Sequence, residues 1–175
     1  MKWGFMKEIE VKILEVDVSK IRKTLKDNHA KFVKKVLQKN HMYGNEHTRK
    51  NDVVVRIRRE GKNTIFTIKG RKEITNNHKV RDEYELCMDY DMISNMIKLL
   101  GLKLRYSLEM KREYWNIGGC SVEICQLPKL PAYIEIEGSA KGITKVAKML
   151  GYSEKDFFND SFLKHYGLKD VSLRF

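Results

Sequence analysis

The chain has 175 residues, of which 42% are hydrophobic and 33% charged, and its 35 Lys and Arg against 23 Asp and Glu give a formal charge of +12. That length suits a single domain over residues 1–175 with a core of its own, and no run approaches the roughly 20 apolar residues of a membrane helix. Residues 1–7 are too short and too soon charged for a signal peptide, and Cys87, Cys120 and Cys125 lack paired metal spacing, so a cytoplasmic protein with reduced thiols and no membrane partner is expected.

Strand patterns dominate the chain. Residues 6–14 alternate strictly and predict a strand. Asp17-Val18-Ser19 opens a helix running to about His29, with Ile21 and Leu25 four apart. A long strand is expected over 31–43, its lysines on an outer face. Residues 53–60 and 63–69 then form a hairpin across Gly61-Lys62. The polar segment 71–79 reads as a mobile loop placed to cover one mouth of the fold. Another strand spans 79–88, and an amphipathic helix at 92–100 ends at Gly101. Residues 104–117 and 120–126 pair across Gly118-Gly119, and 132–137 form the last long strand. Helices over 143–150 and about 159–166 finish the chain. Eight strands joined mainly by short turns favour antiparallel pairing. The expected fold is α+β: a closed eight-stranded antiparallel β-barrel forming a tunnel, with a few peripheral helices.

Strand side chains alternate between two faces, and here the split is apolar against charged. Glu8, Glu10 and Lys12 oppose Ile9, Val11 and Ile13. Arg56 and Arg58 oppose Val55 and Ile57; Thr67 and Lys69 oppose Phe66 and Ile68. Arg81, Glu83 and Glu85 oppose Tyr84 and Leu86, Glu123 opposes Val122 and Ile124, and Glu135 and Glu137 oppose Ile134 and Ile136. Any one strand of this kind is well explained as half wet. Together, though, the polar faces carry Glu and Arg rather than Ser and Thr, and the acids and bases fall on different strands. Turned inward in a barrel, they would need a ligand, because unpaired buried charge is strongly disfavoured. Carboxylates suit Mg²⁺ or Mn²⁺, and Arg and Lys suit phosphate oxygens. The interior therefore reads as a site for a metal–polyphosphate complex.

Glu8-Ile9-Glu10-Val11-Lys12 resembles the Glu-x-Glu-x-Lys signature of the CYTH superfamily, the triphosphate tunnel metalloenzymes. Val55-Arg56-Ile57-Arg58, Phe66-Thr67-Ile68-Lys69-Gly70 and Arg81-Asp82-Glu83-Tyr84-Glu85 follow in that family's order. So do Arg112-Glu113-Tyr114-Trp115, Leu130-Pro131-Ala132-Tyr133-Ile134-Glu135-Ile136-Glu137 and Asp160-Ser161-Phe162-Leu163. The resemblance covers nearly the whole chain. It implies that Glu8, Glu10, Glu135 and Glu137 hold metal, with Glu123 a further acidic group where relatives usually carry Asp. It implies that Lys12, Arg56, Arg58, Lys69, Arg81 and Arg112 bind substrate phosphates, with Lys12, Glu10, Arg58 and Arg112 at the chemistry. Two departures stand out. The family's Lys-x-Arg is Met110-Lys111-Arg112 here, which turns Lys111 outward, and its Gly-x-Phe is Pro131-Ala132-Tyr133.

The expected activity is metal-dependent hydrolysis of a triphosphate: tripolyphosphate, ATP or another nucleoside or organic triphosphate. The alternative in the same family is a class IV adenylate cyclase making 3′,5′-cyclic AMP and pyrophosphate. Outside enzymology, a basic module for RNA or polyphosphate would use Tyr43, Tyr106, Tyr114 and Trp115 to stack bases; for the enzyme readings, nucleic acid enters only as a 5′-triphosphate end. A monomer or homodimer is expected.

Overall fold

The computed structural model describes residues 4–168 and 170–175. Its strands are β1 (Gly4–Ile13), β2 (Lys31–Gly44), β3 (Val54–Glu60), β4 (Asn63–Lys69), β5 (Glu73–Thr75), β6 (His78–Cys87), β7 (Lys103–Ile117), β8 (Cys120–Gln126) and β9 (Tyr133–Glu137). Eight of them close in the order β1-β9-β8-β7-β2-β3-β4-β6, with β6 pairing back onto β1. Every strand pair is antiparallel, so the expected barrel is present. The short β5 lies outside the ring, on β6.

The barrel is apolar outside and charged inside. Outward-facing Val11, Ile13, Trp115, Val122, Ile124, Ile134 and Ile136 form the largest core cluster. Two helices cover it: α1 (Val18–Asp27) through Ile21 and Leu25, and α4 (Ala140–Met149) through Ile143, Val146 and Ala147. Each such side chain contributes roughly 1.5–3 kcal/mol on full burial, and this outer layer holds the charged interior in shape. A second cluster joins Val55 and Ile57 of β3 to Ile93 and Ile97 of α3 (Tyr90–Leu99). Both α1 and α3 start at an aspartate cap. Asp17 accepts from the Ser19 and Lys20 amides, and Asp89 from those of Asp91 and Met92. Gly138 and Gly142 let α4 approach β8 closely, since a Cβ on them would lie 2.7 and 2.9 Å from Cys120 Sγ.

Two elements differ from expectation. Segment 71–79 is a hairpin rather than a loop: β5 pairs with the start of β6 across Asn76-Asn77, whose φ of 48° and 59° suit a primed two-residue turn. It is fastened to the chain before the last helix, α5 (Phe162–His165), by Asn77 Nδ2 to Glu154 O at 2.6 Å and Lys72 Nζ to Asp160 at 2.6 Å. The short α2 (Glu46–Lys50) was not expected; it has no apolar period and is set by a capping box between Asn45 and Thr48. A third cluster stands at one end of the barrel, where Leu108, Met110, Cys125 and Tyr133 meet Phe162 and Leu163 of α5. The tail runs along β7 beside it, with hydrogen bonds of 2.9 Å from Glu109 N to Leu173 O and from Leu173 N to Ser107 O.

Candidate active site

The period-two pattern places the charged face of each strand in one tunnel of about 340 Å³. Glu8, Glu10 and Lys12 enter it from β1, Arg56 and Arg58 from β3, and Lys69 from β4. Lys79, Arg81, Glu83 and Glu85 enter from β6, Arg112 and Tyr114 from β7, Glu123 from β8, and Glu135 and Glu137 from β9. Every site residue expected from the sequence lines this one cavity. Its lining holds seven carboxylates and seven Lys or Arg cations. The tunnel is thus balanced in formal charge, and the surplus of +12 is carried elsewhere on the chain.

The pairing inside is uneven. At one end, Lys12 Nζ lies 2.5 Å from Glu10 Oε1 and 3.3 Å from Glu135, and Lys79 also pairs with Glu10. Burial works to lower the Lys12 pKa, but Glu10 and Glu135 outweigh it and hold the ammonium above its ordinary range. Lys79 goes the other way, lowered by burial and by its neighbour Lys12. Burial opposes ionisation of Glu10, yet Lys12, Lys79 and Lys69 together hold it well below the usual carboxylate range. Arg112 bridges Glu123 at 2.5 Å and Glu135 at 3.0 Å, with its Nε buried and unpartnered. Glu85 takes Thr67 Oγ1 at 2.9 Å and the guanidinium groups of Arg58 and Arg56 at 3.1 and 3.4 Å.

The remaining carboxylates are in excess. Glu8 accepts Lys69 Nζ at 2.6 Å through Oε1, but its Oε2 is buried without a partner. Glu83 shares the same lysine at 3.2 Å, and burial together with nearby Glu8 pushes its pKa up to about 7. Glu137 has no ion pair among the described residues, and burial with Glu8, Glu123 and Glu83 around it raises it to about 7. An unsatisfied buried carboxylate oxygen beside two carboxyls that resist ionising is the donor set a hard divalent cation would satisfy. Glu123, Cys125 and Glu135 also offer ligand atoms within 4.8 Å of one another, yet both carboxylates there are engaged by Arg112.

Three further features refine the expected set. The Arg81 guanidinium is largely occupied: Nε donates to Gly70 O at 2.8 Å, and Nη2 to Asp52 O at 2.6 Å and to the Asp52 carboxylate at 3.0 Å. Lys111 stands over the Phe175 ring at 3.9 Å and is absent from the tunnel lining. Lys79 and Glu85, not singled out as site residues from sequence, share the parity of Arg81 and Glu83, and that was the signal. Of the four aromatic side chains considered for base stacking, Trp115 is in the outer core, Tyr43 and Tyr106 pack against clusters, and only Tyr114 lines the tunnel.

An eight-stranded antiparallel barrel with carboxylates and cations together in its bore defines a tunnel protein with a charged interior. The chain belongs to the CYTH domain family, whose model matches residues 6–161. Among solved structures it is similar to a conserved hypothetical protein of Pyrococcus furiosus, at 24% identity and a TM-score of 0.74, over 90% of this chain and 98% of that one. A candidate adenylate cyclase of Vibrio parahaemolyticus aligns with a TM-score of 0.77 at 11% identity, over 95% and 99% of the two chains. HpAC1 of Hippeastrum, a candidate adenylyl cyclase described as having a dominant triphosphatase activity, aligns at 0.67 and 15% identity, over 93% and 97%. None of the curated proteins matches the chain in sequence. No helix among the described residues is long and apolar enough to cross a membrane.

Proposed function

We propose that the chain is a metal-dependent triphosphatase acting on a triphosphate held in the tunnel. The observation that carries this reading is the charge balance of the bore together with its unpaired acidic end. A bare polyanion there would face seven carboxylates, and a bare cation would face seven Lys and Arg side chains. A complex of the two complements both halves. Glu8 and Glu137, with Glu10 and Glu83 beside them, would hold Mg²⁺ or Mn²⁺, which supplies Lewis-acid charge to phosphate oxygens when bound.

The chain's own groups do the rest. Arg56 and Arg58 on β3, Lys69 on β4 and Arg112 on β7 sit around the bore, so several non-bridging oxygens can be contacted at once. The Nε atoms of Arg56 and Arg112 are buried and unpartnered, which leaves donors for them, while Arg58 Nε faces Glu60 at 3.4 Å. These cations offset charge on the transferring phosphoryl group, where positioning and electrostatics do most of the work. Arg81, already committed to Gly70 and Asp52, is a positioning residue that ties β6 to the chain before β3. Lys12, kept protonated by Glu10 and Glu135, is a fixed cation for the phosphate at its end of the bore. In the step itself, the water oxygen bonds to phosphorus as the bond to the bridging oxygen breaks. The electron pair leaves with the diphosphate, and the proton released passes to solvent.

The test is a product-resolved assay of the purified protein with tripolyphosphate and ATP, each with Mg²⁺ and with Mn²⁺. Orthophosphate release that requires metal and is lost in Glu10→Gln is expected. Cyclic AMP and pyrophosphate as main products would assign the cyclase reaction instead, and no turnover of any triphosphate would refute the enzyme reading.

A further inference from the structure

The tunnel does not end at its charged bore. Past Lys12, Val54, Lys79 and Arg81 it opens into a second cavity of about 330 Å³, and those four residues line both spaces. The character of the wall changes at that neck. Leu108, Met110, Leu127, Tyr133, Phe162 and Leu163 make one side of the outer chamber. Its polar rim comes from Asp52, Lys72, Asn159, Asp160 and Ser161.

We infer that this chamber seats the organic group of the substrate, so that the physiological ligand is a triphosphate ester of about nucleoside size rather than inorganic tripolyphosphate. The inference rests on the triphosphatase reading and adds the substrate class to it. Inorganic tripolyphosphate has no apolar surface to place against Leu108, Met110 and Leu127. An apolar chamber in line with a phosphate site serves only a ligand that is anionic at one end and apolar at the other. The volume fits, since pockets for small organic ligands start at roughly 300 Å³ and are mostly apolar with a few polar groups. The polar rim is also already ordered. Lys72 Nζ holds Asp160 at 2.6 Å, the Lys72 amide donates to Asp52 at 3.0 Å, and Asp52 is held by Arg81 at 3.0 Å. Little ordering is then left for the ligand to drive.

The chamber also fixes a direction. With the organic group beyond the neck, the ester phosphate lies by Lys12 and Lys79, and the chain of phosphates runs inward toward Lys69, Glu8 and Glu137. The terminal phosphoryl group is then the one beside the carboxylates that lack partners, and its transfer to water leaves a diphosphate ester.

Two measurements test this. The first compares kcat/KM for tripolyphosphate with that for ATP, GTP, CTP and thiamine triphosphate. At least one ester should exceed tripolyphosphate by 10-fold or more, and Ser161→Trp, which puts an indole at the chamber rim, should lower that ratio by at least 10-fold. The second needs no variant. In methyl-labelled protein with Mg²⁺, the preferred ester should shift the Met110, Leu127 and Leu163 methyl resonances, while tripolyphosphate leaves them in place. Tripolyphosphate turned over as well as every ester, or an ester hydrolysed without moving those methyls, would overturn the chamber's role and leave the triphosphatase reading standing. No turnover of any triphosphate would remove both.

Discussion

Glu137 gives the sharpest test of the acidic end of the tunnel. Burial and the surrounding Glu8, Glu123 and Glu83 move its carboxyl from an ordinary 4.5 to about 7. A folded-state pKa above the unfolded value means that the native protein binds the proton more tightly. This contribution is fully present below about 4.5 and is lost as pH rises through 7. At about 1.4 kcal/mol for each tenfold change in proton affinity, the ionised group costs the metal-free fold ~3 kcal/mol at most. Partial access to solvent brings that nearer ~1–2 kcal/mol. Glu137→Gln removes the charge and keeps the shape. Urea unfolding of metal-free protein at pH 8 should therefore show the variant more stable than the parent by ~1–2 kcal/mol, and at pH 5 the two should coincide. A variant less stable at pH 8 would show that Glu137 has a cationic partner, and a difference that does not change with pH would show that its carboxyl is not perturbed; either would refute an acidic end in excess.

Other outcomes follow from the same geometry. Mg²⁺ in 100-fold excess over its dissociation constant should stabilise the protein by ~2.7 kcal/mol at pH 8, and by much less at pH 5 where Glu83 and Glu137 are protonated; thermal melts should show the gain lost in Glu8→Gln. Arg112→Met strands buried Glu123 and leaves Glu135 with Lys12 alone, and should cost ~3–5 kcal/mol in chemical denaturation, with much of the loss recovered in the Arg112→Met, Glu123→Gln double variant. Gly138→Ala drives a Cβ to 2.7 Å from Cys120 Sγ and should cost ~1–3 kcal/mol. Cys120→Ala in the same chain should restore most of that stability.

Much of this arrangement was legible because one rule, alternation along strands, determines both faces of every strand. Glu8, Arg56, Arg112 and Glu135 could be assigned a common side without knowing where the strands lie. The turns were equally local: Gly61 and the Gly118-Gly119 pair have φ between 59° and 75°, the region that glycine enters freely. What stayed hidden needed distance. The Asn76-Asn77 turn was read as a loop because polarity masked it, although Asn enters positive φ more readily than most non-glycine residues. Arg81 carries the right charge at the right parity, but its Gly70 and Asp52 partners come from two other segments. The outer chamber could not be seen at all, because its wall joins β7, the turn after β8, β9 and α5, whose order around the mouth is a property of closure.

The inverted layering of the barrel links stability to ligand. A barrel with apolar residues inside could not hold phosphate, and one with a wet interior and no outer helices would have no core. Placing Val11, Ile136 and their neighbours outside, under α1 and α4, lets the interior be spent on charge. That choice has an electrostatic consequence: seven acids and seven bases cannot all pair when Lys12, Lys79 and Lys69 gather on Glu10 and Glu8. The remainder is an unsatisfied carboxylate end by Glu137 and underused guanidinium donors on Arg56 and Arg112. A cation alone would satisfy the first and strengthen the positive charge facing the second; a polyanion alone would do the reverse. Occupancy by both together is the state in which neither end is left uncompensated, so binding of metal and of triphosphate should be mutually reinforcing.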